Sequence, residues 1–198
     1  METPKSLAPD NRKEILEAAR RLFLHHGFAK TTIVDIAKAS KMSHANIYRY
    51  FSDKNAIVET IAAEWLERLE ERLDSIATGD GGAEDKLVRL VLTVHGFFSN
   101  LICSEPQMFE ICLLVVNRKS LVVQKHIKAR REAITTILRR ATDAGELEIV
   151  DLEITAQTLE DATIKFCHTR LIAEMHDEEP VQPVKNVYRI IIHGLAKK

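Results

Sequence analysis

Glycine and proline are scarce in this chain of 198 residues, seven and five in all, about half of what average usage near 7% Gly and 5% Pro supplies. With aromatic residues at only 6%, turn-rich all-β architectures are excluded. The longest unbroken apolar run, Ile111 to Val116, is far short of the roughly 20 residues of a membrane helix. No apolar stretch follows Glu2, Pro4 and Lys5, so no secretory signal is expected. Cys103, Cys112 and Cys167 are odd in number, widely spaced and set inside apolar segments, unlike a secreted disulfide framework or a metal finger. GxSxG, HExxH and P-loop spacings are missing too. A soluble, cytoplasmic protein is expected, with no membrane partner, metal, cofactor or enzymatic activity.

What is present is a 45% apolar chain with 28 basic and 29 acidic side chains, long enough to bury a core unaided. The charge is polarised. Residues 1 to 54 hold ten basic and six acidic side chains, net +4, and the other 144 residues hold eighteen and 23, net −5. A basic first quarter suits a polyanion while the acidic remainder serves another role.

Hydrophobic periodicity is helical almost throughout, and about nine helices are expected. Ile15, Leu16, Ala19, Leu22 and Phe23 mark one buried face of a first helix, capped at Asp10 or Asn11 and closed by Gly27. Thr32 caps a short helix that runs out at Ser40 to Met42, and Ser43 caps a second short one reaching about Tyr50. Asp53 then starts a long helix striped by Ile57, Ile61, Trp65, Leu69, Leu73 and Ile76. Further helices are expected over 83–103, 106–117, 121–144, 152–175 and 184–195, the last two separated by the acidic loop from His176 to Pro183. The fold expected is all-α: a tail (1–9), a three-helix helix-turn-helix domain (10–53) and a larger helical bundle (54–198).

Two helices too short to stand alone make sense when packed on a third as a helix-turn-helix. In the second of them Ile47, Tyr50 and Phe51 have the spacing of a buried face, leaving Ser43, His44, Ala45, Asn46, Tyr48 and Arg49 outward. A solvated face carries Glu and Lys. This one carries neutral and cationic hydrogen-bonding tips, suited to base edges and phosphates in a major groove. Thr32 and Lys54, each at a helix N-terminus, are placed to hold flanking phosphates.

The run from Gly27 to Ala37, with Ser43 and then Ile47-Tyr48-Arg49-Tyr50-Phe51-Ser52-Asp53-Lys54, resembles the DNA-binding region of the TetR family of bacterial transcriptional regulators. The resemblance implies that Thr32 and Lys54 hold phosphates and Tyr48 approaches the backbone. It puts His44, Ala45, Asn46 and Tyr50 in or near the groove. The family's turn commonly reads Ala-Gly-Val-Ser, and here it reads Ser40-Lys41-Met42-Ser43. Lys41 thus stands at a position suited to positive φ, at a cost of about 1 kcal/mol, and adds a charge toward DNA.

Beyond residue 55 the resemblance implies sensing and pairing. The last helix is apolar on more than one face, so a second copy of the chain is expected to cover it. Leu159, Ala162, Phe166, Val187, Tyr188, Ile191 and Leu195 are the expected dimer contacts. An effector pocket is expected among His95, Phe98, Cys103, Phe109, Cys112, Val116, Phe166 and His168, apolar with a few polar groups. The function expected is a repressor that binds a palindromic double-stranded operator as a homodimer and is released by a small molecule. The alternatives are a DNA-binding regulator without effector and a cysteine-based redox sensor.

Overall fold

The computed structural model describes residues 9–175 and 179–195, with side chains from residue 11 onward. Residues 1–8 of the expected tail and His176 to Glu178 of the acidic loop lie outside the described residues, as does the Asp10 side chain on which the expected cap depends. Ten α-helices follow in order: α1 Pro9–Lys30, α2 Ile33–Ala39, α3 His44–Tyr48, α4 Lys54–Thr78, α5 Ala83–Ser104, α6 Pro106–Asn117, α7 Leu121–Asp143, α8 Leu152–Ala162, α9 Thr169–Glu174 and α10 Val181–Leu195. The all-α fold stands, with one more helix than periodicity gave. The segment expected as a single helix over 152–175 breaks into α8, a 3-10 turn at Ile164–Phe166, and α9. No glycine or proline marks the break. It frees the Phe166 carbonyl, which lies 3.3 Å from His95 Nδ1 on α5.

Helix ends follow their caps. Asn11 does not cap α1 but lies inside it, donating to the Tyr50 hydroxyl at 3.1 Å. Gly27, at φ +75°, breaks the helical geometry of α1 three residues before its end. Three helices close on the same reciprocal motif, in which the residue past the cap takes positive φ. Gly145 does this after α7 at φ +74°, but Lys41 does it after α2 at +55° and Lys119 after α6 at +51°. At Lys41 the paired bonds are Lys41 N–H to the Lys38 carbonyl (3.2 Å) and Met42 N–H to the Ala37 carbonyl (2.9 Å). An L-residue there carries about 1–2 kcal/mol of backbone cost.

Two cores hold the chain. The first joins Ile15, Leu16, Ala19 and Phe23 of α1 to Ile36, Ile47, Phe51, Ile57 and Ile61, nearly all fully buried. Packing crosses residue 53, because Met108, Ile111 and Val115 of α6 complete this core. The second lies among α4, α5, α7, α8 and α10, and takes Phe109 and Cys112 from that same α6. α5 has the length and apolarity of a membrane span, yet its Leu87, Leu90, Val91 and Val94 are at most 1% exposed inside this second core.

Between α7 and α8 sits a buried ion triad. Arg130 donates to one oxygen of Glu160 through Nε (3.1 Å) and Nη2 (2.6 Å). Arg131 donates to the other oxygen at 2.8 and 2.6 Å. Two cations on one carboxylate leave the cluster with a net positive charge.

Candidate DNA-reading head and ligand cavity

α3 is under two turns long and depends on its bed: Ile47 is fully buried against α1 and α2, and the Ser43 hydroxyl oxygen accepts the Asn46 N–H at 3.2 Å. Its outer surface carries His44, Ala45, Tyr48 and Arg49 exposed, with Asn46 half-buried at the edge. The His44 ring meets Tyr48 edge-on, centroids 4.9 Å apart, which aligns both rings along one side of the helix. Lys41 is exposed at the preceding turn, as is Ser43 at the cap. These residues therefore form one surface.

Tyr50 departs from that surface. It is half-buried, its hydroxyl accepting from Asn11, so it ties the segment that follows α3 to α1 rather than standing free beside a groove. Thr32 and Lys54 are likewise already engaged. The Thr32 hydroxyl donates to Asp35 at 2.6 Å and accepts the Asp35 N–H at 3.2 Å, while the Thr32 N–H donates back to the carboxylate at 2.9 Å. This is a complete capping box. The hydrogen bonds from Thr32 hold the Asp35 carboxyl below its ordinary pKa, so a negative charge already occupies the start of α2. Lys54 Nζ donates to the Phe28 and Thr31 carbonyls, both at 2.7 Å, and lies 4.0 Å from the centre of the Phe28 ring. Its partial burial lowers the ammonium pKa. The side chain closes the end of α1 onto α4 and keeps one of its three N–H donors for anything else.

The cavity, about 450 Å³ in volume, opens between α4, α5, α6, α7 and the α8–α9 turn. Phe98, Cys112, Val116 and His168 line it, together with Trp65, Phe97, Lys119, Gln124, His126, Ile127, Arg130 and Cys167. Four of the expected pocket residues are elsewhere. His95 is buried against the Phe166 carbonyl, Phe109 and Phe166 fill the second core, and Cys103 is exposed near the end of α5. Lys119, His126 and Arg130 were hidden because charged residues at the α6–α7 turn and on α7 read as a solvated face. The available signal was Val123-Ile127-Arg130 at spacings of four and three, with His126 beside them. Burial pushes the Cys112 thiol up to about 12 and that of Cys167 up to about 11, so both remain protonated thiols at neutral pH. No group of three or more His, Cys, Asp or Glu among the described residues is arranged to hold a metal.

The expected dimer contacts also divide. Leu159, Phe166 and Tyr188 are 0–5% exposed within the chain's own core and present nothing to a partner. The reason is the α10 register: Val184, Tyr188 and Ile192, at steps of four, form the inward stripe. Val187, Ile191 and Leu195 stay half-buried, Ala162 is exposed, and Ile154 and Ile190 stand 65% and 72% exposed.

Residues 15–61 match the family of bacterial regulatory proteins of the tetR type, and residues 83–188 match the tetracyclin repressor-like C-terminal domain. The chain belongs to the TetR family. It is a transcriptional regulator of that family, with the family's DNA-binding helix-turn-helix. Among its relatives, the transcriptional regulator TtgR of Pseudomonas putida is 29% identical over 159 residues, covering 73% of each chain. Among solved structures, Thermus thermophilus FadR, a TetR-family repressor in complex with lauroyl-CoA, superposes with a TM-score of 0.66 at 20% identity, covering 94% of this chain and 96% of that one. Bacillus subtilis FadR in complex with stearoyl-CoA gives 0.63 at 18% identity, over 92% and 98%. Those two likenesses establish the fold.

Proposed function

We propose that this TetR-family regulator is a homodimeric repressor that reads a palindromic operator and is released when a small apolar molecule fills the cavity. The observation that carries this is the position of α6. Cys112, Val115 and Val116 line the cavity, while Met108, Ile111 and Val115 pack in the core under α1. A ligand that displaces α6 therefore moves the bed of the reading head. Arg118, at the end of α6, also donates to Asn55 in the first turn of α4, giving the long helix a second link to the same element.

In the dimer, Ile154, Ala162, Val187, Ile190 and Ile191 of α8 and α10 face their counterparts. Two α3 helices then address half-sites about 34–36 Å apart, or a multiple of that spacing. His44, Ala45, Asn46 and Arg49 address base edges, with Lys41, Ser43 and Tyr48 on the phosphate backbone. Binding of acyl-CoA by the FadR structures is consistent with an apolar effector in this fold. The buried thiols Cys112 and Cys167 speak against a redox sensor, because the thiolate is the reactive species. A regulator without an effector would have no use for so large an apolar cavity.

Fluorescence anisotropy with a labelled duplex spanning the region upstream of the coding sequence tests the reading head. Asn46→Ala is expected to lose about 1–3 kcal/mol of discrimination at particular base pairs. Equal loss across all sequences would contradict the assignment.

A further inference from the structure

We infer that the cavity selects an apolar ligand ending in a carboxylate, and disfavours cationic ones. The inference rests on the effector-site reading above and names the chemistry of that site. Three observations meet there.

The first is charge. Among the described residues that line the cavity there is no Asp or Glu, whereas Lys119 and Arg130 are both present. Arg130 keeps N–H donors beyond the two directed at Glu160, and the Arg130–Glu160–Arg131 triad it belongs to is net positive. A cation in this cavity would lose its hydration and meet no carboxylate on the lining, Glu70 standing behind His126 and Glu160 already held by two arginines.

The second is an unmet polar demand. His126 is 5% exposed and lines the cavity, yet neither ring nitrogen has a hydrogen-bond partner. The nearest carboxylate oxygen, Glu70 Oε1 on α4, is 3.4 Å from Nδ1 but off the line of a hydrogen bond. His168 Nδ1, at the start of α9 and also on the lining, is buried without a hydrogen-bond partner as well. Buried polar groups normally have partners, so the two imidazoles that lack them mark where a ligand's polar end belongs. An imidazole N–H donates to a carboxylate oxygen with the added strength of a charged acceptor.

The third is shape. Trp65, Phe97, Phe98, Val116, Val123 and Ile127 provide a wall that suits a hydrocarbon chain or ring system. The ligand is therefore an amphiphile with its anion toward His126, Arg130 and Lys119.

Trp65 is the only tryptophan in the chain, so its fluorescence reports occupancy without a label. The test titrates the unmutated protein with decanoate, 1-decanol, decyltrimethylammonium and decanoyl-CoA, each below its aggregation threshold. Decanoate is expected to bind at least tenfold more tightly than the alcohol and the cation, and His126→Leu is expected to remove most of that preference. A far-ultraviolet circular dichroism melt confirms that the variant folds, and the four-ligand panel decides the matter without it. Equal binding of decanoate and decanol, or tighter binding of the cation, overturns the anion preference while leaving the cavity as an effector site. Binding of decanoyl-CoA without decanoate overturns the free carboxylate in favour of a thioester. No response to any of the four overturns both this inference and the effector reading beneath it.

Discussion

At the reading head Thr32, Ser43, Tyr50 and Lys54 all hold hydrogen-bond partners within the chain, whereas at the cavity neither ring nitrogen of His126 nor Nδ1 of His168 has one, Glu70 Oε1 lying 3.4 Å from His126 Nδ1 without forming a hydrogen bond. α6 contributes to both the core under the reading head and the cavity wall, Val115 to each, but the polar groups differ: Thr32 and Ser43 are exposed and Tyr50 and Lys54 half-buried, whereas His126 is buried, where a polar group needs a partner. At the reading head the polar side chains are tied to neighbours within the chain. At the cavity the imidazoles are left unsatisfied, and a ligand that supplies the missing partner gains what the free protein lacks. Under the proposed function, an end whose polar groups are already paired and an end whose imidazoles are not, joined through α6, would divide the tasks of reading DNA and responding to an effector.

The paired side of the cavity is the place to break this contrast with the largest effect. Glu160→Ala strands Arg130, 5% exposed, without its counter-charge, and is expected to cost about 3–5 kcal/mol of stability in urea denaturation. A cost below about 1 kcal/mol, the range of exposed pairs, would mean that the triad is solvated and not part of the wall. At the reading head, Lys54→Met removes two charge-assisted bonds to the Phe28 and Thr31 carbonyls. With these bonds discounted for partial exposure, about 1–2 kcal/mol of stability is expected to go. Because the ammonium is already engaged, the salt dependence of duplex binding is expected to change by less than the one unit that loss of a full phosphate contact gives. A full unit with unchanged stability would return Lys54 to the role of a phosphate ligand.

A smaller change separates stability from function at a single residue. Lys41→Gly relieves the positive φ, at some cost in unfolded-chain entropy, and is expected to add about 0.5–1 kcal/mol of stability. It also removes a charge beside α3 and so is expected to weaken duplex binding. If the variant gains stability and binds as before, Lys41 faces solvent only. The smallest effect is chemical. At pH 8 a thiol reagent is expected to label Cys103, which is exposed, rapidly, and Cys112 and Cys167, with thiols raised to about 12 and 11, only on denaturation. Rapid labelling of all three would show that the cavity wall opens freely.

Most of the fold was legible because its signals are local. The stripe through Ile57, Ile61, Leu69 and Leu73, the caps at Thr32, Ser43 and Asp53, and the stop at Gly145 each depend on residues within a turn or two. The positive φ at Lys41, +55° in the structure, was expected from the resemblance, whose turn commonly carries glycine there, and not from a local signal. The break after Ala162 was not legible: Thr163 to His168 contain no helix breaker, and what stabilises the turn is burial of Phe166 and the contact between its carbonyl and His95, 71 residues away. The site divided in the same way. The exposed face of α3 follows from periodicity, but the engagement of Thr32 and Lys54 does not. The first is a bond to a neighbour that competes with phosphate, and the second reaches across 23 and 26 residues. In the cavity, Arg130, which looks solvated in the sequence, turns inward because Glu160 accommodates it, while Lys119 lines the rim and stays exposed.

The central claim is that filling the cavity moves α6 and thereby loosens the grip of the reading head. Its direct test is the dissociation constant of the labelled operator duplex measured with and without decanoate, at fixed salt, with Trp65 fluorescence confirming occupancy in the same samples. A rise of about 100-fold is expected, equivalent to roughly 2.7 kcal/mol of coupling. An unchanged constant with the cavity demonstrably full would contradict the account.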